Sequence, residues 1–556
     1  MVEDQIIPIC NRLSVFALAL GAATHPAIAA AAAAPLSTYV EARAAQMEGD
    51  EARSARLFAA MAAADPADRT IARRAIATAI QSGQADLAVS LARRIPAAEL
   101  PIDARLMLAA DSLRRGKGKQ ALADLEKGVT STEVELFAPL VRAWEETKKG
   151  RPDGAAALAA LPATSPLASI ADEQGAAMLL AIGRIDQGLA LARQVVEKGG
   201  GRATRLRLAY ADTLSRRKQA DQAMAMLAGP DEALAAARAR LKEGRPLGMA
   251  ILSPADGYSE MLIALAVDLS RDEKKTLPIS LAQVARHANP SNSEATVLLA
   301  LLQDDDGRGD AALATLGAIG ADDLLAGEAL DLETRLLIDR GQPDLALQRA
   351  RAAASGSNAG VQDFARLANV LGDMDHHADA AAAYGEAINR SQGDEGQAIW
   401  TLRLLRAASL EQADRWTEAK SELEQAVRAE PDNALLLNFL GYGKLERGED
   451  IDAAEAMIRK ASALRPDDAS ITDSLGWALY KRGRLPEAVE TLTRAAAGDP
   501  TQAEIHEHLG DALYTSGRRI EARFSWQAAL VTAEDKAKAR LVQKLDNGLT
   551  AATAAP

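Results

Sequence analysis

The chain has 556 residues, and its 64 lysine and arginine side chains against 77 aspartate and glutamate side chains give a net charge of −13. Binding to nucleic-acid phosphates normally requires a basic stripe, and none is present, which argues against nucleic acid as a partner. Apolar residues make up 48% of the chain but aromatic residues only 3%, a composition typical of closely packed helices rich in alanine and leucine. The one cysteine, Cys10, leaves no disulfide framework and no thiolate metal site.

Residues 1–34 form a leader that differs from the rest of the chain. An apolar core at residues 13–23 precedes Pro26 and an A-x-A sequence at residues 27–29, which is typical of a secretory signal peptide. The core is shorter than the roughly 20 residues that span a membrane, so no transmembrane anchor is expected. Glu3 puts an acid where a signal peptide is usually basic, so a low-complexity start on a cytoplasmic protein is the alternative. We predict export to the periplasm.

A regular period begins near residue 35. It is marked by Gly49, Gly83, Gly116, Gly150 and Gly183, which follow one another at almost equal intervals along the chain. Glycine allows the backbone conformation that a tight turn needs, and a period of about 34 residues indicates stacked helix pairs. We predict degenerate repeats over residues 35–228.

The repeat period is interrupted over residues 229–258, where a predicted helix precedes a predicted loop. It resumes over residues 259–396 and continues beyond them, with Asp375 and Asp414 in place of turn glycines. The alternative function is that of a carbohydrate-active or other catalytic or assembly factor of the cell envelope. Its site would have to lie in this interrupted segment. Its thirty residues are too few to enclose an active site and contain no plausible nucleophile and base pair.

The repeats that match the full pattern most completely lie in residues 397–530. Leu475-Gly476, Gly483 and Ala488 recur one full period later as Leu509-Gly510, Gly517 and Ala522. Gly476 and Ala488 are predicted to let the two helices of a hairpin cross closely, while Gly483 forms the turn between them. About fourteen such units fit the chain, well above the roughly three that a stable array needs.

Residues 531–556 follow the last repeat. They begin with a charged amphipathic sequence, predicted to be a helix that caps the stack with a polar outer face. The final AATAAP is predicted to be a frayed tail.

These spacings resemble the tetratricopeptide repeat (TPR) family, through the Leu-Gly pair, the turn glycine seven residues later, the small and large apolar positions after it, and the closing proline. The resemblance extends over nearly all of the chain after residue 35. It implies an all-α fold, an α-solenoid superhelix of antiparallel helix pairs with about fourteen repeats. It also implies a scaffold that binds a partner protein or peptide in its concave groove; together with the predicted signal peptide, we expect a bacterial, exported protein of this kind.

In this family the first helix of each pair lines the concave groove. Carried over residue by residue, the resemblance places candidate partner-binding residues on three successive first helices: Asn438 and Tyr442; Asp473, Trp477, Tyr480 and Lys481; and Glu507, Asp511 and Tyr514. Such a groove has aromatic and acidic side chains, which favours a basic or amphipathic partner segment. The alternative is that Tyr480 and Tyr514 pack between neighbouring repeats.

No pattern in the sequence indicates catalysis, a cofactor or a metal. Two histidine groups occur, His376-His377 and His506-Glu507-His508. A zinc-binding helix needs histidines four residues apart, so we predict that both groups are exposed polar helix positions. No nucleophile elbow, phosphate loop or dinucleotide fingerprint is present. We therefore expect a protein that is not an enzyme and needs no cofactor.

Overall fold

The structure, a computed structural model, is built from helices. It describes residues 26–128, 137–162, 165, 167–199, 202–229, 232–271, 274–357, 359–391 and 399–555. Within these ranges there are thirty α-helices, one short 3-10 helix at Ala97–Glu99, and no β-strand. The predicted all-α fold of antiparallel helix pairs is therefore confirmed. The apolar core of the predicted leader, residues 13–23, lies outside the described residues.

The helices form two compact units. One contains the described residues up to Arg193 together with Ile251–Leu302, and the other contains Gln194–Ala250 and the described residues from Gln303 onward. The helices of the first unit are α1 (Pro26–Met47), α2 (Glu51–Ala64), α3 (Arg69–Gln81), α4 (Ala85–Ala92), α5 (Ile102–Arg114), α6 (Gly118–Glu126), α7 (Ala138–Thr147), α8 (Asp153–Ala159), α9 (Ala168–Ala181), most of α10 (Ile185–Glu197), α14 (Pro254–Leu269), α15 (Thr276–Ala288) and most of α16 (Ser293–Asp305).

The second unit contains the three helices that precede α14 and all those that follow α16. Its helices are α11 (Ala203–Arg216), α12 (Ala220–Met226), α13 (Glu232–Lys242), α17 (Gly309–Leu316), α18 (Ala326–Asp339), α19 (Pro343–Ala354), α20 (Val361–Asp373), α21 (His377–Arg390), α22 (Ile399–Gln412), α23 (Trp416–Ala429), α24 (Ala434–Glu446), α25 (Ile451–Leu464), α26 (Ala469–Lys481), α27 (Leu485–Gly498), α28 (Ala503–Thr515), α29 (Arg519–Thr532) and α30 (Asp535–Asn547).

Left-handed residues form the turns between most consecutive helices. Thirteen fully described connections of at most five residues contain one, at Gly49, Gly83, Gly116, Gly150, Gly183, Lys218, Gly307, Gly341, Asp375, Asp414, Gly448, Gly483 and Gly517, and the longer loop between α13 and α14 contains two, Gly244 and Gly248. The predicted turn positions are confirmed, including the two aspartates, which have φ values of 60° and 58°. Including the α14–α15 hairpin, twelve of these helix pairs pack directly against each other within the described residues.

Close crossing within the hairpins depends on glycines inside the first helix. A Cβ atom on Gly476 would lie 2.6 Å from Leu492 Cγ, and one on Gly510 would lie 2.3 Å from Trp526 Cδ1. Ala488 on the second helix is fully buried. The predicted role of Gly476 and Ala488 in helix crossing is confirmed. These contacts fix α26 against α27 and α28 against α29.

In the first unit, the α14–α15 hairpin lies against the first helices of four earlier pairs. α15 packs on α3 and α5, and α14 packs on α5, α7 and α9. The fully buried Tyr258 donates its hydroxyl hydrogen to the Leu106 carbonyl, and Gln283 Nε2 donates to the Gln81 carbonyl at 3.2 Å. Gly257 passes so close to α7 that a Cβ there would lie 2.0 Å from the Trp144 indole nitrogen. The chain itself therefore covers these helices.

Candidate partner-binding groove

The predicted groove residues lie on three first helices of the second unit. They are distributed over α24 (Asn438, Tyr442), α26 (Asp473, Trp477, Tyr480, Lys481) and α28 (Glu507, Asp511, Tyr514). α26 packs against both α24 and α28, so the structure brings the three sets together along one side of neighbouring hairpins. Their surroundings differ from helix to helix, and only part of the set is open to solvent.

An aromatic stack occupies the centre of this surface. The Trp477 ring is parallel to the rings of Tyr480 and His508, with centroid distances of 4.6 and 4.1 Å. Trp477 is almost completely buried, and its Nε1 donates to Glu446 Oε1 at 2.9 Å. Lys481 Nζ lies 5.0 Å from the centre of the indole and 3.6 Å from the same Glu446 oxygen. The stack therefore joins α24, α26 and α28.

His508 departs from the prediction that this histidine group is exposed. Its side chain is fully buried, whereas His506 remains partly exposed and contacts the Pro500 carbonyl. His508 Nδ1 donates to Asp473 Oδ2 at 2.8 Å. Burial alone would lower the pKa of His508, but the neighbouring carboxylate of Asp473, helped by Glu504, outweighs burial and raises it. The prediction was wrong because Trp477 of the preceding hairpin covers this face of α28.

Two acids on α28 bind the last helix of the chain. Arg540 forms two 2.7 Å bonds with the Glu507 carboxylate, and Lys544 Nζ lies 2.7 Å from Glu507 Oε1. Lys544 also donates to both oxygens of Asp511, at 2.7 and 2.8 Å, while Trp526 Nε1 donates to Asp511 Oδ1. Burial opposes ionisation of Glu507, but its bonds to Arg540 and Lys544 prevail and lower its pKa. The predicted exposure of Glu507 was wrong because α30 covers it.

The C-terminal tail also returns to α28. The Ala555 amide donates to Asp511 Oδ2 at 2.8 Å, and both Ala555 and Thr553 are buried. Gly548, at the end of α30, passes so close to Tyr514 that a Cβ would lie 2.2 Å from its hydroxyl. The prediction of a frayed tail was therefore wrong for these residues, because Asp511 Oδ2 accepts from the Ala555 amide as well as from Lys544. The groove positions of α28 are occupied by the chain itself.

Three of the predicted groove residues, Asn438 and Tyr442 on α24 and the buried Asp473 on α26, line a polar recess of about 180 Å³, whereas Trp477 is buried and does not line it. Asn438, Tyr442, Asp473 and Glu504 line it, and the Tyr442 hydroxyl donates to Glu504 Oε1 at 3.4 Å. Burial, followed by the nearby carboxylates, raises the pKa of Tyr442, so this phenol remains protonated. Asn438 Nδ2 donates to Ser474 Oγ at 3.1 Å. Carboxylates and hydroxyl groups therefore both line the recess.

The irregular segment before α14 is held in place by one buried acid. Asp212 on α11 is fully buried and accepts hydrogen bonds from the amides of Leu247, Met249 and Ala250. These bonds give the loop after α13 a fixed path within the second unit, which is a structural role. The described residues contain no cluster of acids, histidines or cysteines able to hold a metal ion.

None of the described helices has both the length and the apolar character needed to cross a membrane. This observation concerns only the residues that the structure describes.

Comparison with known proteins identifies one family and a group of structures with similar helical arrays. Residues 476–517 match the TPR repeat family. A search of curated proteins found no match. Among solved structures, YrrB, described as a TPR protein with an unusual peptide-binding site, is 21% identical with a TM-score of 0.27, and the alignment covers 35% of this chain and 98% of YrrB.

Two longer structures align with most of the chain. A subunit of the APC/C hetero-tetramer Cut9-Hcn1 is 14% identical with a TM-score of 0.36, and the alignment covers 94% of this chain and 98% of that chain. Yeast Tom70 is 11% identical with a TM-score of 0.37, and the alignment covers 92% of this chain and 95% of Tom70. With such low identities and TM-scores, the partners of these proteins say nothing about the partner of this chain. The family match places the tetratricopeptide repeat at residues 476–517, the segment that contains most of the α26 and α28 groove positions.

Proposed function

We propose that the chain is a non-enzymatic interaction scaffold that binds a basic, amphipathic segment of a partner protein along α24 and α26. The observation that most supports this proposal is the position of α30. This helix of the same chain uses Arg540 and Lys544 to bind Glu507 and Asp511 on α28. The equivalent positions on α24, Asn438 and Tyr442, are only partly buried and line the recess, so a partner segment of the same chemistry is the expected occupant.

Charge complementarity favours the same class of partner. Glu504 has 52% of its side chain exposed at the edge of the recess. The nearby basic groups are already paired, Lys481 with Glu446 and Arg447 with Glu411. Glu504 accepts from Tyr442 and lies 4.0 Å from His508 Nε2, but half of its side chain is exposed, so it gives this surface a negative rim, which attracts basic segments and repels acidic ones.

Peptide binding tests the proposal. Fluorescently labelled peptides of equal length and amphipathicity, one basic and one acidic, are titrated with the full chain at two salt concentrations. The basic peptide is expected to bind, and Glu504→Lys should weaken it about tenfold by reversing a rim charge. Glu490→Lys makes the same change on the exposed face of α27 and serves as the matched control. Equal binding of both peptides, or equal loss in both variants, would overturn the proposal.

We also propose export, which rests on the sequence of residues 1–34 alone. Sequencing the N-terminus of the chain isolated from its own cells, together with fractionation, tests this proposal. A mature chain that begins shortly after the A-x-A sequence is the expected result. An intact Met1 in a cytoplasmic fraction would refute export and leave the groove proposal unaffected.

A further inference from the structure

The recess between α24 and α26 contains buried oxygen atoms that lack hydrogen-bond donors. Asp473 is only 5% exposed, and while its Oδ2 accepts from His508, its Oδ1 has no hydrogen-bond partner within the described structure. Asn438 Oδ1 is likewise buried and without a partner there. Both residues line the same recess of about 180 Å³. Buried acceptors are almost always paired in proteins, so two that line one recess indicate a missing donor.

The neighbouring hairpin shows what kind of donor satisfies this position. Asp473 and Glu507 are separated by one repeat period, so the two acids occupy equivalent places on α26 and α28. On α28 the donors to Glu507 are cationic: Arg540 binds both carboxylate oxygens at 2.7 Å, and the fully buried Lys544 Nζ lies 2.7 Å from Oε1. Within the described residues no lysine or arginine pairs with Asp473, and the nearby Lys481 is directed to Glu446.

The geometry distinguishes lysine from arginine. A guanidinium group binds a carboxylate best through two parallel bonds that use both oxygens. His508 already occupies one oxygen of Asp473, so only single acceptors remain, one from Asp473 and one from Asn438. An ammonium group carries three separate donors and suits such isolated acceptors. Glu504, at the edge of the recess, supplies the remaining negative charge.

From these contacts we infer that the recess is a lysine pocket, which binds the side-chain ammonium of one lysine in the partner segment. This inference rests on the proposed function for the identity of the partner, but the pocket can be tested without it. The partner's lysine stem would enter beside the Tyr442 ring, and its ammonium would donate to Asp473 Oδ1 and Asn438 Oδ1. A lysine at this position would then anchor the partner segment on α24 and α26.

n-Butylammonium chloride, which carries the end of a lysine side chain, is the probe. It is titrated into the full chain with ¹⁵N-labelled tryptophan, and the Trp477 indole signal is followed because this ring stacks on His508 beside Asp473. We expect a saturable shift that n-butanol does not produce and n-propylguanidinium produces only weakly. Asn438→Leu, which leaves the pair of Asp473 and His508 intact, should weaken binding about tenfold through loss of one bond to a charged donor.

Asp473→Asn should weaken n-butylammonium binding at least as much as Asn438→Leu does. Asp467→Asn removes the same charge from an exposed position just before α26 and should leave binding unchanged. Equal responses to butylammonium and butanol, or wild-type binding by folded Asn438→Leu, would overturn the lysine pocket. If basic peptides bind while butylammonium does not, the pocket fails and the scaffold function stands. If butylammonium binds and no peptide does, the pocket stands and the scaffold function fails.

Discussion

Lys544 Nζ lies 2.7 Å from Asp511 Oδ1, and neither side chain is accessible to solvent. The pair connects the last helix to α28 and is completed by Glu507 and the Ala555 amide. A buried ion pair stabilises a fold little compared with an apolar pair, but removal of one partner leaves an unpaired charge. Attachment of the C-terminal segment should therefore be sensitive to any change at this lysine.

Lys544→Met is expected to destabilise the attachment of α30 by about 3 kcal/mol, because two buried carboxylates lose their shared cation. Hydrogen exchange resolved by residue is the appropriate measurement, since a long repeat array need not unfold in one step. Amides of α30 and the Ala555 amide should exchange faster. Lys538→Met on the same helix removes a half-exposed lysine and should leave exchange unchanged. Unaltered protection in Lys544→Met would contradict the prediction.

His508 should make the stability of the last hairpins depend on pH. Its folded pKa lies above the ordinary value of 6.5, so the imidazolium form is favoured by folding. That stabilisation is fully present below pH 6.5 and is lost as pH rises through the higher folded pKa. The charged groups near the ring are Asp473 from α26 and Glu504 and Asp511 on its own helix.

Melting curves measured from pH 6 to pH 9 check this dependence. His508→Asn should flatten the decline of the melting temperature with rising pH. His506→Asn, which alters a partly exposed ring two residues away, should retain the wild-type slope. An identical slope in wild type and His508→Asn would assign the pH dependence to other groups.

Two glycines of α26 and its turn should respond differently to alanine. Gly476→Ala places a methyl group 2.6 Å from Leu492 Cγ and should cost about 1–3 kcal/mol through overpacking. Gly483→Ala meets no atom within 4 Å but must keep a φ of +72°, which should cost about 1 kcal/mol. Urea unfolding of both variants, followed by exchange in α26 and α27, separates the two effects. A larger loss at Gly483 would refute the crossing role of Gly476.

Gly257→Ala should detach the α14–α15 hairpin from α7. The added methyl group would lie 2.0 Å from the Trp144 indole nitrogen, so the helices must separate at a cost of about 3 kcal/mol. Hydrogen exchange should accelerate in α14 and α15. Gly372→Ala is the control and should have the opposite effect on stability. A Cβ on this glycine of α20 would meet no atom within 4 Å, so alanine there should stabilise the helix by about 0.5–1 kcal/mol.

Local features of the fold were predictable because each has a local cause. The turn at Gly483 and the crossing at Gly476 follow from residue size and backbone freedom, and both repeat at a fixed interval. Asp375 and Asp414 were recognisable as turn residues from the same interval.

Contacts between distant segments were not predictable from periodicity. The burial of His508 depends on Trp477 of the preceding hairpin, and that of Glu507 depends on Lys544 in the last helix. The spacing of Arg540 and Lys544 by four residues did place two cations on one face of a helix. It did not indicate which acids they would meet, because the path of the chain between α29 and α30 determines that contact.

The α14–α15 hairpin imposes an order on folding. Tyr258 meets Leu106 across 152 residues, and Gln283 meets Gln81 across 202 residues. A simple stack forms contacts only between neighbours and can fold as it leaves the ribosome. At about 5–20 residues per second, roughly eight to forty seconds of further synthesis separate these helices from the α14–α15 hairpin that covers them. During that interval the apolar surface that α14 and α15 later cover is exposed, and such surface is prone to aggregation.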